Sequence, residues 1–264
     1  MMKLKDEFNA QQESHQLQQE QSHQIVHNKI IMLAKESIRI IRPMTYLFTG
    51  PMEAGKTYHL MRTVQNLLGT STPLPFDKNN QEHNCDVDNI NKEMYTHSST
   101  HDFSAAIFCK PKVDTRTTAS TIASRNGTVF HSVSAVDSLD TIKFKENTLV
   151  AVDEAQFFDS SLLRLFDRVQ DTPGCVLVVA GLDRDYEKQP FGYVLELAEK
   201  IVTSPGMGQL NLLRAPCHVP FCRTPAAFTK RVAYDAANSQ IFIGGSESYV
   251  AACGKHHGDE CNSH

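Results

Sequence analysis

TGPMEAGKT, residues Thr49 to Thr57, decides how the chain is read. Gly50, Gly55, Lys56 and Thr57 fall on the spacing G-x-x-x-x-G-K-S/T, that of a phosphate-binding loop. The two glycines permit a tight turn whose backbone N–H groups can face an anion. Pro51, Met52, Glu53 and Ala54 make up the span between them. Lys56 is placed to reach the outer phosphates of a nucleotide, and the Thr57 hydroxyl to ligate Mg²⁺. The flanks agree with the loop. Met44 to Phe48 is a short apolar run that predicts a buried strand, and Tyr58 to Leu68 carries apolar residues at helical spacing until Gly69 stops it. Strand, glycine loop and helix is the order such a loop requires, and the helix adds its positive dipole end.

A second signature lies about a hundred residues on. Thr148 to Asp153 (TLVAVD) is a nearly continuous apolar run that ends in Asp153-Glu154. A buried strand of this kind delivers a carboxylate to its C-terminal end, beside the phosphate loop, where it can hold Mg²⁺. Further apolar runs at Ala105 to Cys109, Thr128 to Val133 and Cys175 to Leu182 predict more strands, and Ser160 to Val169 predicts a helix. Buried strands alternating with helices imply an α/β fold: a parallel sheet flanked by helices, with a ligand beyond the carboxyl ends of the strands. The stretches at Gly50, Asp114 and Asp153 each follow an apolar run, as one shared site would need.

The 264 residues are 41% apolar and 21% charged, enough for a real core, and the net charge of −4 argues against a polyanion such as nucleic acid as a stable partner. No stretch is long and apolar enough to cross a bilayer. The first residues lack an apolar signal core and carry several acids, so a cytoplasmic protein is expected. Five regions are expected: a Gln-rich extension over 1–43 with a helix at 28–42, a phosphate-loop domain over 44–211, an insertion in it at 69–102, a small lobe over 212–257, and a tail over 258–264. Seven cysteines do not make a disulfide framework in a chain of this length, and clustered ones read better as metal ligands. Cys217-x4-Cys222 and Cys253-x2-His256 are spaced as two ligand pairs, and three thiolates with one imidazole favour structural Zn²⁺. His218 competes with Cys217 for the first position.

Several stretches together resemble the type II, zinc-containing thymidine kinases: GPMEAGKT at 50–57, KPKVDTR at 110–116, SRNG at 124–127, VDEAQFFD at 152–159, GLDRDYEKQPFG at 181–192, FTKR at 228–231 and IGGSESYVAAC at 243–253. The resemblance implies transfer of the γ-phosphate of ATP to thymidine, with Mg²⁺, one structural zinc, a homotetramer and feedback inhibition by the end-product triphosphate. It implies that Glu154 is the general base for the substrate 5′-hydroxyl and that Lys56 stabilises charge on the transferring group. Thr57 and Asp153 would hold Mg²⁺, and Asp114, Thr115, Arg116 and Gln156 would join the loop on the ATP side. Phe157, Leu182, Tyr186 and Phe191 would line the base. Thr229, with Phe242, Ile243 and Gly244, would meet its edge, and Tyr249 would close the pocket. The chain departs from the family pattern in its extension, in its insertion, in Tyr186 where Phe is usual, and in Asp183-Arg184-Asp185, where a cation replaces a glycine. Two other readings are a nucleic-acid-dependent ATPase, since Asp153-Glu154-Ala155-Gln156 resembles a helicase box, and a non-catalytic binding protein derived from a kinase.

Overall fold

The computed structural model describes residues 44–69, 103–116, 118, 120–123, 129–131, 133–204, 206–233 and 247–258. The expected helix at 28–42, the insertion beyond residue 69 as far as 102, and Phe242, Ile243 and Gly244 lie outside the described residues.

The elements run β1 (Met44–Thr49), α1 (Lys56–Leu67), β2 (Ala105–Pro111), β3 (Thr121–Ala123), β4 (Val129–His131), β5 (Ser134–Val136), β6 (Thr148–Val152), α2 (Ser161–Gln170), β7 (Val176–Gly181), α3 (Val194–Thr203), β8 (Gly208–Leu212), β9 (Phe228–Arg231), β10 (Tyr249–Ala252) and α4 (Gly254–Gly258). Six strands form one sheet in the order β5-β2-β6-β7-β1-β8, and every pairing in it is parallel. This is the expected α/β architecture. β6 and β7 are buried at every position, which is why their sequences read as unbroken apolar runs: both faces of a parallel sheet are covered.

Alternation along the strands sorts the core into two layers. Phe48, Leu149, Ala151, Val176, Val178 and Ala180 face Leu60, Met61, Val64 and Leu67 of α1. Leu47, Val150, Val152, Leu177 and Val179 face Leu162, Leu165, Phe166 and Val169 of α2 and Val194, Leu197 and Ile201 of α3. Helices on both faces leave the strand ends as the place where side chains can meet a ligand.

Several elements differ from expectation, three of them instructively. The run from Thr128 to Val133 does not enter the main sheet; its strand β4 pairs antiparallel with β3 in a separate two-stranded ribbon. α3 lies outside the predicted helices, although Val194, Leu197, Ala198 and Ile201 are its buried positions at helical spacing. β8, sequence GQLNL, has no apolar run and is strand only because β1 offers it a free edge.

β9 and β10 pair antiparallel outside the main sheet, with Phe228 opposite Ala252 and Arg231 opposite Tyr249. A small cluster of Ala54, Ala215, Ala226 and Ala251 packs with Leu213 between this ribbon and the phosphate loop.

Candidate active site and metal centre

The glycine loop leaves β1 and turns directly into α1. Gly50 has φ 142°, and a Cβ there would lie 2.4 Å from the Leu213 carbonyl oxygen, so only glycine fits. Gly55 takes φ 77° as the residue that opens the helix. The Lys56 ammonium donates to the carbonyls of Gly50, at 3.2 Å, and Pro51, at 2.6 Å. Burial lowers its pKa to about 8, opposed by Glu154, Asp153 and Asp183. The Thr57 hydroxyl lies 3.1 and 3.2 Å from the two carboxylate oxygens of Asp153. The loop after β1 and the end of β6, nearly a hundred residues apart in sequence, thus meet at one point.

Asp153 is buried, and that burial, with Glu154 next to it, pushes its pKa up to about 7. Two adjacent carboxylates, one of them desolvated, make a site that gains from a cation. Glu154 has left-handed backbone, φ 52°. One of its carboxylate oxygens pairs with the Arg116 guanidinium, and the other accepts from Gln156 Nε2 at 2.6 Å. Arg116 Nε donates in turn to Asp114 at 2.7 Å, and Asp114 lies 3.9 Å from the buried ammonium of Lys110. Asp114 is therefore a buried anchor for Arg116, while Thr115 between them is exposed.

Gln156 does more than its expected place on the ATP side implies. Its Nε2 holds Glu154, and its Oε1 accepts from the backbone N–H of Leu182 at 3.0 Å. Two glycines make room for it. A Cβ at Gly192 would lie 2.2 Å from the Gln156 carbonyl oxygen, and one at Gly181 would lie 3.1 Å from Oε1. The group expected to act as base and the wall expected to receive the nucleoside base share this one amide.

The wall residues form two aromatic pairs. Phe157 and Phe191 meet edge to face at 5.5 Å, and Tyr186 and Tyr249 are tilted at 6.4 Å. The Arg231 guanidinium lies 5.2 Å from the Tyr186 ring. Thr229 meets the phosphate loop: its hydroxyl accepts from the backbone N–H of Met52 at 3.0 Å. Arg184 strains nothing. The left-handed residue of its turn is Lys188, and the Arg184 guanidinium donates to the Lys188 carbonyl at 2.9 Å.

Two site neighbours escaped the sequence reading. Asp183, just past β7, accepts from the Thr49 hydroxyl at 2.9 Å and adds to the acidic field around Lys56. Its signal was the one used for Asp153, a carboxylate just past the end of a buried strand. His257 bonds to backbone carbonyls far away in sequence, and nothing local in the sequence marks it.

Cys217, Cys222, Cys253 and His256 come together with their ligand atoms all within 4.8 Å of one another. Cys222 Sγ lies 3.9 Å from Cys253 Sγ, and His256 Nδ1 lies 3.4 Å from the sulfurs of both Cys217 and Cys253. A tetrahedral zinc site with Zn–S near 2.3 Å needs sulfurs about 3.8 Å apart, so the set fits Zn²⁺. Cys217 belongs to the cluster, whereas His218 Nδ1 is 3.1 Å from the Ala251 carbonyl.

Comparison with known proteins adds the family. A model described as "Thymidine kinase" matches residues 91–257. The chain belongs to the thymidine kinase family. This is the family its motifs resemble. A protein named thymidine kinase from Mycoplasma mobile is 31% identical over 156 residues, 57% of this chain and 71% of the relative. One of the same name from Mycoplasmoides gallisepticum is 28% identical over 214 residues, 79% and 78% of the two chains. One from Oryza sativa subsp. japonica is 29% identical over 215 residues, 81% and 66%.

Proposed function

We propose that this protein is a thymidine kinase that transfers the γ-phosphate of ATP to the 5′-hydroxyl of thymidine. The observation that carries the reading is the meeting of Lys56, Thr57 and Asp153 at the mouth of the glycine loop, in a chain of this family. Phosphoryl transfer asks a protein mainly for positioning and charge neutralisation. The loop from Gly50 to Thr57 holds the phosphates, and Lys56 exchanges its carbonyl partners for phosphate oxygens. Thr57 and Asp153 hold Mg²⁺, which when bound neutralises charge on the phosphates. Glu154, at the junction of the two subsites, accepts the proton of the attacking hydroxyl. Arg116 is poised beside it to exchange its Glu154 partner for a phosphate oxygen.

The paired aromatics, with Leu182, suit a flat methylated base. The Cys/His cluster holds a structural zinc that fixes β9 and β10, and hence Thr229 and Tyr249, against the phosphate loop. We further propose a homotetramer working in the cytoplasm, where the described cysteines, all free, remain thiols or metal ligands. Among the described residues no helix is long and apolar enough to cross a membrane.

The test is a panel of nucleosides with Mg²⁺ and γ-labelled ATP. Label should pass to thymidine and appear as its 5′-monophosphate. ATP hydrolysis that rises with DNA and ignores thymidine would overturn the reading.

A further inference from the structure

His257 stands one residue past His256, in the short helix α4 that carries that member of the Cys/His cluster. Its Nε2 is 2.9 Å from the carbonyl oxygen of Tyr186 and 3.1 Å from that of Thr229. Both partners are acceptors only, so Nε2 carries the proton and is shared between them. The His257 backbone N–H donates to Cys253 O at 3.0 Å, which fixes the ring relative to the cluster. The ring also meets Phe228 edge to face at 5.6 Å, and Lys188 lies over that same Phe228 ring at 4.6 Å.

The turn that carries Tyr186 is closed on itself. Asp185 accepts from the backbone N–H groups of Glu187 and Gln189, each at 2.9 Å, and Arg184 bridges to Pro190. A turn built this way is stiff within itself, so its placement depends on what joins it to the rest of the site. His257 joins it to β9 and to the Cys/His cluster through one N–H.

We infer that His257 is a positioning residue for the nucleoside wall, tying the Tyr186 turn and strand β9 to the metal-held helix. The inference rests on the reading of Tyr186 as part of that wall. It gives the cluster a mechanical route to the pocket: the ligands fix α4, α4 fixes His257, and His257 sets the distance between Tyr186 and Thr229.

The test uses the full-length, zinc-loaded protein with two substitutions. His257→Phe keeps a ring against Phe228 and removes the donor, whereas His257→Gln keeps an N–H of similar reach. Amide hydrogen exchange is followed over residues 183–190 and 228–231, with zinc content and the KM values for thymidine and ATP. In His257→Phe, exchange should rise in both segments, and the thymidine KM should rise about tenfold, with the ATP KM and zinc content unchanged. His257→Gln should recover most of both effects. Unchanged exchange in His257→Phe would overturn the inference. So would loss of zinc with exchange rising throughout 215–233 and 247–258, because the residue would then be holding the metal centre rather than the turn. Should the unaltered chain fail to phosphorylate thymidine, the reading of function falls, and the exchange comparison still decides the role of His257.

Discussion

Asp153, next to Glu154, and Tyr186, in the turn that follows Leu182, belong to two regions that Gln156 links, and they are held by different means. Asp153 follows a strand buried at all of its positions, packed between α1 on one face and α2 and α3 on the other. Its placement is a consequence of the core. Tyr186 sits in a turn joined to the ribbon beside the Cys/His cluster through His257 and the Lys188–Phe228 contact. The apolar cluster behind that ribbon is small, built of alanines with Leu213. On the proposed function, a hydrophobic core would place the phosphate chemistry, and four metal ligands with a few hydrogen bonds would place the nucleoside. The two halves should therefore fail separately.

Removing zinc from the full chain should have the largest effect, because folding of a small metal-held lobe draws its free energy from the metal. Exchange protection should be lost over 215–233 and 247–258 and kept in β1, β6 and β7. Thymidine affinity should fall on the order of 100-fold or more while ATP affinity changes little. Equal loss of both affinities would erase the distinction between the halves. Next, Glu154→Gln should lower kcat by about 10²–10⁴-fold and leave ATP binding intact, as expected for a base whose carboxylate acts only in the transfer step. Unchanged turnover would remove Glu154 from that role.

Leu177→Ala strikes the core alone. Leu177 is fully buried against α2 and α3, so the cost should be ~2–5 kcal/mol in unfolding free energy, with zinc content unaltered. The smallest effect concerns His59, stacked on Phe48 at 5.7 Å. Burial lowers its pKa to about 4 from an ordinary 6.5, so the unfolded chain binds the proton first. Its stabilising contribution is whole above pH 6.5 and is lost as pH falls towards 4, up to about 3 kcal/mol. Denaturant unfolding of His59→Phe should show a shallower loss of stability across that interval than the unaltered protein, and parallel curves would refute the assignment.

The sheet was legible where burial alone dictated sequence. β6 and β7 are covered on both faces, and the glycine loop needs its glycines for φ and for close approach to Leu213. β8 was illegible because its strand character comes from pairing with β1 rather than from its own residues. β4 carries the β-forming signal of a sheet strand, and only the topology puts it in a separate ribbon. The Cys/His set could be read from spacing, but choosing Cys217 over His218 needed the fold, which turns His218 towards Ala251. The full set of Gln156 contacts and the placement of His257 were hidden in the sequence for one reason. Each acts on backbone groups that sequence proximity does not reveal.

Convergence of Lys56 and Asp153 on one Mg²⁺-triphosphate is tested most directly by a double-mutant cycle on MgATP binding, measured by calorimetry. Lys56→Met and Asp153→Asn should be non-additive, with a coupling of about 1 kcal/mol or more, as for groups that share one ligand. Strictly additive losses would mean that the two residues serve separate sites, and the shared phosphate site would be contradicted.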